Sequence, residues 1–263
     1  MSLAVGLNER AKQSAVLAMA RGFRRYGPEE ERAVRTIKVQ GDELSYLRQR
    51  REMLRSMTPE QALQVIEFHN GLNVFQAFDL AKRTGKLIVP NDVIDRILTE
   101  TDKRVVTLTG TAAIYEAPGM PFGDTVTYAW KTGADVQYSF TFDVPRQFRG
   151  RTDCTLVVEH PDFELVPVPS GNNSFELKAA EGSVSLLKRF PKGTRQWYEC
   201  NERFGIPVGN PKKAGVSTRY FWRQNNGYIS LVTRGYGYYG DYEVRRGVGL
   251  DGAPSNGLGV ALF

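Results

Sequence analysis

The chain has 263 residues, of which 41% are hydrophobic, 24% charged and 11% aromatic. That apolar share suits a packed core and excludes wholesale disorder. No run of about 18 apolar residues is present to span a membrane, and two cysteines are too few for a disulfide framework.

The net charge of +6 is unevenly spread. Residues 1–105 carry +4, residues 106–209 carry −2, and residues 210–263 carry +4. A nucleic-acid domain concentrates its Lys and Arg into a stripe. Here Arg24, Arg25, Arg48, Arg50, Arg51 and Arg55 alternate with Glu29, Glu30, Glu31, Glu43 and Glu52. That pattern reads as a solvated helix face rather than a nucleic-acid surface. The N-terminal stretch breaks its apolar run at Lys12 and lacks the continuous apolar core of a signal peptide, so secretion by that route is not expected.

The first hundred residues predict helices. Val16, Leu17, Ala20 and Phe23 recur at helical spacing, with Ala15 and Met19 widening the face. Gly27-Pro28 stops that segment, and Pro28 suits a helix start. Leu44, Leu47 and Leu54 repeat within residues 42–55. Thr58-Pro59-Glu60-Gln61 predicts an N-cap, a proline at the first helical position and a capping box. Leu63, Ile66 and Val65 follow as inward candidates, and Asn70-Gly71 ends that helix. Residues 73–82 predict another, with Val74, Phe75, Phe78 and Leu80 apolar. Pro90-Asn91-Asp92 opens a last one carrying Val93, Ile94, Ile97 and Leu98. The expectation for residues 1–103 is a helical bundle or stalk, a candidate homo-oligomer contact.

Near residue 104 the apolar period becomes two. Val106, Leu108 and Ile114 begin it, a turn follows at 117–121, and TVTYAW, VQYSFTF, TLVVE, FELVPV and SFELKA continue it. Pro167 and Pro169 place their strand at an edge. Residues 104–182 therefore predict a β domain, most simply a sandwich. Residues 183–263 are richer in glycine, and the stretch 205–259 holds 12 of the 26 glycines. Its strand candidates are short: TRYFWR, YISLVTR, DYEVRR and GVALF. The fold class expected is α+β, with a helical front, a β-sandwich-like middle and a loop-heavy end.

No hydrolase or nucleotide motif stands up. GxSxG and GxxxxGK[ST] are absent. Residues 235–240 match GxGxxG in spacing, but no amphipathic helix follows and tyrosines would obstruct a phosphate. Cys154, Cys200, His69 and His160 fit no zinc spacing, so neither metal nor cofactor is expected. The cysteines read as two buried thiols, with one disulfide the alternative. Glu159, His160 and Asp162 form a polar turn on this reading. A carboxylate pair for glycoside hydrolysis is the enzymatic alternative.

The positive signal is the tail. Six of the 12 tyrosines fall between residues 220 and 242, among Gly, Asn, Ser and Arg. Tyrosine supplies amphipathic contact area at low entropic cost, and the small polar residues supply adaptable hydrogen bonds, as in a paratope. The expected ligand-contact residues are Tyr220, Arg223, Asn225, Asn226, Tyr228, Tyr236, Tyr238, Tyr239, Asp241 and Tyr242.

The run from Arg219 to Phe263 resembles the end of C-type-lectin-fold variable proteins, which are related to formylglycine-generating-enzyme-like domains and diversified by retroelements. The matching parts are Trp222, Asn225–Tyr228, Ile229–Thr233, Arg234–Arg246 and the terminal strand Gly257-Leu258-Gly259-Val260-Ala261-Leu262. The resemblance implies a binding protein rather than an enzyme, displaying its variable residues to a protein or glycan on another surface, with a viral receptor-binding role. Trp222, Val232, Val260 and Leu262 would be scaffold. Calcium-dependent sugar binding is not implied, since the calcium-ligating residues are missing. Residues 183–263 are short for a complete domain of this class, so part of the preceding β region would have to join it. The alternative is a structural component of a virion or similar assembly.

Overall fold

The computed structural model describes residues 28–101, 103, 105–117, 119–131, 137–169, 174–188, 196–213, 218–221, 228–236, 242–245 and 259–263. The helix expected over 15–23 lies outside them. The fold is mixed α+β. Two compact units divide at Gln49/Arg50, not at 103/104 and 182/183. Within the first unit, the described chain is the start of helix α1 (Pro28–Ser56), which opens on Pro28 as expected and runs through Gly41 unbroken. Everything below concerns the second unit, residues 50–263.

Three short helices follow their sequence signals. In α2 (Pro59–Val65), Thr58 and Gln61 form the expected reciprocal capping box. The face differs in detail: Ala62 and Ile66 are buried, Leu63 is half-buried and Val65 is 42% exposed. In α3 (Val74–Thr84), Asn73 and Gln76 form a second capping box, and Gly85 closes the helix in the left-handed region at φ 61°, where glycine carries no Cβ penalty. In α4 (Asn91–Glu100), Val93, Ile94, Ile97 and Leu98 are buried.

Residues 67–70, expected to finish a helix, instead form strand β1 (Glu67–Asn70). Ile66 already adopts an extended conformation, and a tertiary partner decides the rest. β1 pairs antiparallel with β14 (Gly259–Leu262), His69 opposite Val260. Local propensity yields to a strand nearly two hundred residues away.

The remaining strands build two sheets. The larger contains β1, β14, β2 (Val106–Tyr115), β12 (Tyr228–Tyr236), β13 (Tyr242–Arg245), β11 (Thr218–Phe221), β9 (Gln196–Cys200) and β10 (Pro207–Lys212) in that spatial order. β5 (Cys154–Glu159) also pairs with β2, and β8 (Ser185–Lys188) with β5. The smaller sheet runs β3 (Thr125–Lys131), β4 (Gln137–Asp143), β7 (Ser174–Ala179), β6 (Phe163–Pro167). Pro167 thus lies on an edge strand, as its chemistry requires.

The middle segment is therefore no independent sandwich. Its strands β5 and β8 belong to the large sheet, and its small sheet shares one core with the rest. Val126, Phe140, Phe142, Phe163 and Leu177 cluster with Leu108, Ala112, Ile114, Ile229, Val260 and Leu262. Helix α3 belongs to that same core rather than to a separate helical bundle: its Val74, Ala77 and Ala81 join it. Phe75 and Phe78 extend it, with the Phe75 ring centroid 4.2 Å from that of Phe175. Burial on this scale, at about 25 cal/mol per Å², is what binds the segments into one body.

Strand β2 organises the unit. Along one edge it pairs with β12. Along the other it pairs first with β14, through Leu108 and Val260, and then with β5 from Thr111 onward. Gly110 sits at the change of partner. Its N–H donates to Val89 O at 2.7 Å and its carbonyl accepts from His160 N at 2.7 Å. A side chain there would run into the Ile88 carbonyl, so only glycine lets the three backbones meet.

Candidate functional site

Four of the ten expected contact residues lie in described strands: Tyr220 in β11, Tyr228 and Tyr236 in β12, and Tyr242 in β13. Arg223, Asn225, Asn226, Tyr238, Tyr239 and Asp241 lie outside the described residues, as does Trp222. For the four, the backbone register is informative. Position 236 is opposite 242, position 228 is opposite Tyr115, and position 220 is opposite both Trp197 and Glu243.

Residues directly paired across strands occupy the same face of a sheet, and faces alternate along a strand. The pairs 236/242, 234/244, 221/244 and 219/198 therefore fall on one face, together with 228/115 and Ala113. The pairs 220/243 and 220/197 fall on the other. So positions 228, 236 and 242 share a face with Tyr115 and Tyr198, and position 220 does not.

The two expected stretches are also separated along the sheet. The stretch 223–228 enters β12 at Tyr228, and the stretch 235–242 leaves it at Tyr236. Eight steps of about 3.3 Å put those ends roughly 26 Å apart. The 236/242 pair bounds the β12–β13 connection, which contains Tyr238, Tyr239 and Asp241 in sequence.

The support beneath these strands is deeply buried. Ile229 is 2% exposed and pairs with Ile114, itself fully buried. On the opposite flank Tyr198 is fully buried with Tyr115, Val157, Leu187, Phe204 and Ile206. Strand β9, which carries Trp197 and Tyr198, was not expected from the sequence. The alternation in QWYEC was its only signal.

A second cluster is polar. Arg55 forks onto Asp92, with Nε donating to Oδ2 at 3.0 Å and Nη2 to Oδ1 at 3.1 Å. The same Nη2 donates to Glu159 Oε1 at 2.6 Å and to the Arg203 carbonyl at 3.2 Å. Arg51 donates through Nη1 to Asp162 Oδ2 at 2.8 Å and reaches the carbonyl of His160 at 3.4 Å. Glu159, Asp162 and Asp92 are all buried. Arg51 and Arg55 are therefore not part of a solvated face: their partners come from α4 and from the chain around 159–162, which no helical spacing reveals.

Chemically, this cluster is occupied. Burial pushes the Glu159 carboxyl up, and the Arg55 charge and hydrogen bond only partly offset it. Burial opposes the Arg55 charge too, but the Asp92 hydrogen bond and the charges of Glu159 and Asp92 outweigh it and raise its pKa. Two carboxylates tied to guanidinium groups are poor candidates for a glycosidase acid–base pair. His160, joined to Pro161 by a cis bond, uses Nδ1 to accept the Ile88 N–H at 3.2 Å. Its ring meets Phe78 edge-on at 5.8 Å.

Neither Cys154, which is buried, nor Cys200, which is half-buried, is in a disulfide. Burial pushes the Cys154 thiol up, which disfavours a reactive thiolate. Among the described residues, no three His, Cys, Asp or Glu side chains converge as a metal site, and no helix is long and apolar enough to cross a membrane. No protein-family model, curated protein or solved structure matches the chain.

Proposed function

We propose that this chain is a ligand-binding protein that displays a tyrosine- and glycine-rich connection, residues 236–242, on a closed C-type-lectin-like scaffold. The observation that carries the reading is the place of β14. It lies between β1 and β2, with β12 and β13 continuing the same sheet beyond β2. A lectin-like domain needed more chain than residues 183–263. β1, α3, α4 and β2 are the segments available to complete it.

The physical logic is that of a rigid frame with an adaptable rim. Binding residues gain most when the elements beneath them are already ordered, and the core around Ile114, Ile229 and Tyr198 is ordered in that way. Tyr236, Tyr238, Tyr239 and Tyr242 supply aromatic anchors, Asp241 supplies orientation, and the ligand is a protein or glycan on another surface. The chemistry is binding rather than catalysis.

The test is binding of the full chain to arrays of surface glycans and proteins. Saturable binding that is lost in a Tyr236→Ser/Tyr242→Ser variant of unchanged melting temperature supports the reading. No binding, or binding indifferent to the substitutions, contradicts it. Diversification is tested separately by sequencing the gene across its source population. Variation spread evenly along the chain removes that claim.

One observation favours a second reading, a structural component of an assembly such as a virion. Helix α1 has 29 residues, so it is about 43 Å long, enough for a self-association arm. Light scattering of the full chain decides: a monomer at high concentration removes this alternative.

A further inference from the structure

The seam between β14 and the chain around Gly110 is stitched by one histidine. Residues 87–89 run between β14 and β2. Leu87 N–H donates to Phe263 O, Phe263 N–H returns to Leu87 O, Val89 N–H donates to Ala261 O, and Val89 O accepts from Gly110, each at 2.7 to 2.9 Å. Ile88 alone turns its N–H the other way, to a side chain: His160 Nδ1, at 3.2 Å. Leu87, Ile88 and Val89 are fully buried, so that N–H has no water to replace its partner.

The imidazole is held where protonation has no place. Phe78 of α3 and Phe163 of β6 present their rings edge-on at 5.8 and 6.4 Å. From α1 the Arg51 guanidinium lies against the His160 carbonyl, and Asp162 is the nearest opposing charge, itself paired to Arg51. Glu159, the adjacent residue, is paired to Arg55. A proton on Nδ1 would turn the acceptor into a donor facing the Ile88 N–H. It would also add a positive charge beside Arg51.

We propose that His160 is an acid-sensitive latch: protonating it releases the 87–89 seam, and with it the terminal strand β14, before the rest of the unit unfolds. The inference stands on the seam geometry and is independent of the binding reading. Burial of the ring, followed by the Arg51 charge, brings the histidine from 6.5 down to about 4 in the closed form. With an ordinary value in the opened form, linkage favours opening by about twentyfold at pH 5 relative to neutral pH. Glu159 acts in the opposite sense, because its raised pKa favours the closed form in acid, and it reduces that factor.

The experiment is residue-resolved hydrogen exchange on the full chain between pH 7 and 4.5, corrected for intrinsic rates. The expected result is a tenfold or greater loss of protection at Leu87, Ile88, Val89 and 260–263, with the core of β4 still protected. His160→Asn keeps an acceptor at the Nδ1 position without titrating there, and should hold the seam closed across the range. Equal loss in both proteins, or no loss in the natural one, overturns the latch. Should the variant fail to fold, proton NMR of the natural chain, with its two histidines, decides. His160 titrating with the seam amides still protected overturns the proposal, and titration coincident with their release supports it.

Discussion

Arg51 donates through Nη1 to Asp162 Oδ2 at 2.8 Å, across 111 positions of the sequence. One helical turn further on, Arg55 reaches Asp92 and Glu159. The last turns of α1 are thus part of the β-containing unit, whatever role the helix has before Gln49.

Removing one member of such a buried pair leaves an uncompensated charge. Arg55→Ala strands Asp92 and Glu159 together, and the expected loss is about 3–5 kcal/mol in urea unfolding of the full chain. Arg83→Ala is the contrast. Its partner Asp79 is 63% exposed, so a loss under about 1 kcal/mol is expected. The same reasoning sets the boundary of the unit. A chain starting at residue 50 should unfold cooperatively, whereas one starting at residue 57 should be markedly less stable.

Glycines separate by what a side chain would meet. Gly110→Ala drives a methyl group into the Ile88 carbonyl, and Gly259→Ala places one 2.6 Å from His69 O. Each should lower the melting temperature by several degrees, from a cost of about 2 kcal/mol or more. Gly41 has nothing within 4 Å and lies inside α1, so Gly41→Ala should stabilise that helix by up to about 1 kcal/mol. Circular dichroism on the three variants reads both signs.

Stability should fall as the pH drops from 6.5 toward 4. The folded chain holds His160 neutral down to about 4, whereas the unfolded chain takes the proton near 6.5. Between those values the unfolded state binds more protons, so acid favours it, by up to about 3 kcal/mol below pH 4. Glu159, with its raised pKa, favours the folded state as pH falls and flattens the curve. Denaturant titrations at pH 7, 5.5 and 4.5 should show the decline, and His160→Asn should remove most of it.

Each capping box should also be measurable. Thr58→Ala and Asn73→Ala each free a helix N–H at N3, and a loss of about 1 kcal/mol apiece is expected in thermal unfolding.

Local signals were legible in the sequence wherever they were complete within a few residues. Thr58 with Gln61 and Pro28 at a helix start both specify their own geometry. The edge position of Pro167 follows from a missing N–H. Long-range pairing left no such trace. Residues 67–70 are a strand because Gly259–Leu262 lies beside them, and Arg51 and Arg55 carry the same codes as any exposed helix arginine. The domain boundaries expected from composition followed changes in residue type, but β2 takes partners from both sides of those changes. Around the candidate site, the short runs TRYFWR, YISLVTR, DYEVRR and GVALF located the strands. Only the register divided position 220 from positions 228, 236 and 242.

The most direct test of the display reading compares the two ends of β12 on the same binding surface. Tyr236→Ser/Tyr242→Ser and Tyr228→Ser are prepared in the full chain, matched for melting temperature, and titrated against whichever array ligand the natural chain binds. The account predicts at least a tenfold loss of affinity for the Tyr236/Tyr242 variant and less than a threefold change for Tyr228→Ser. Equal losses at both ends, or loss only at Tyr228, would contradict it.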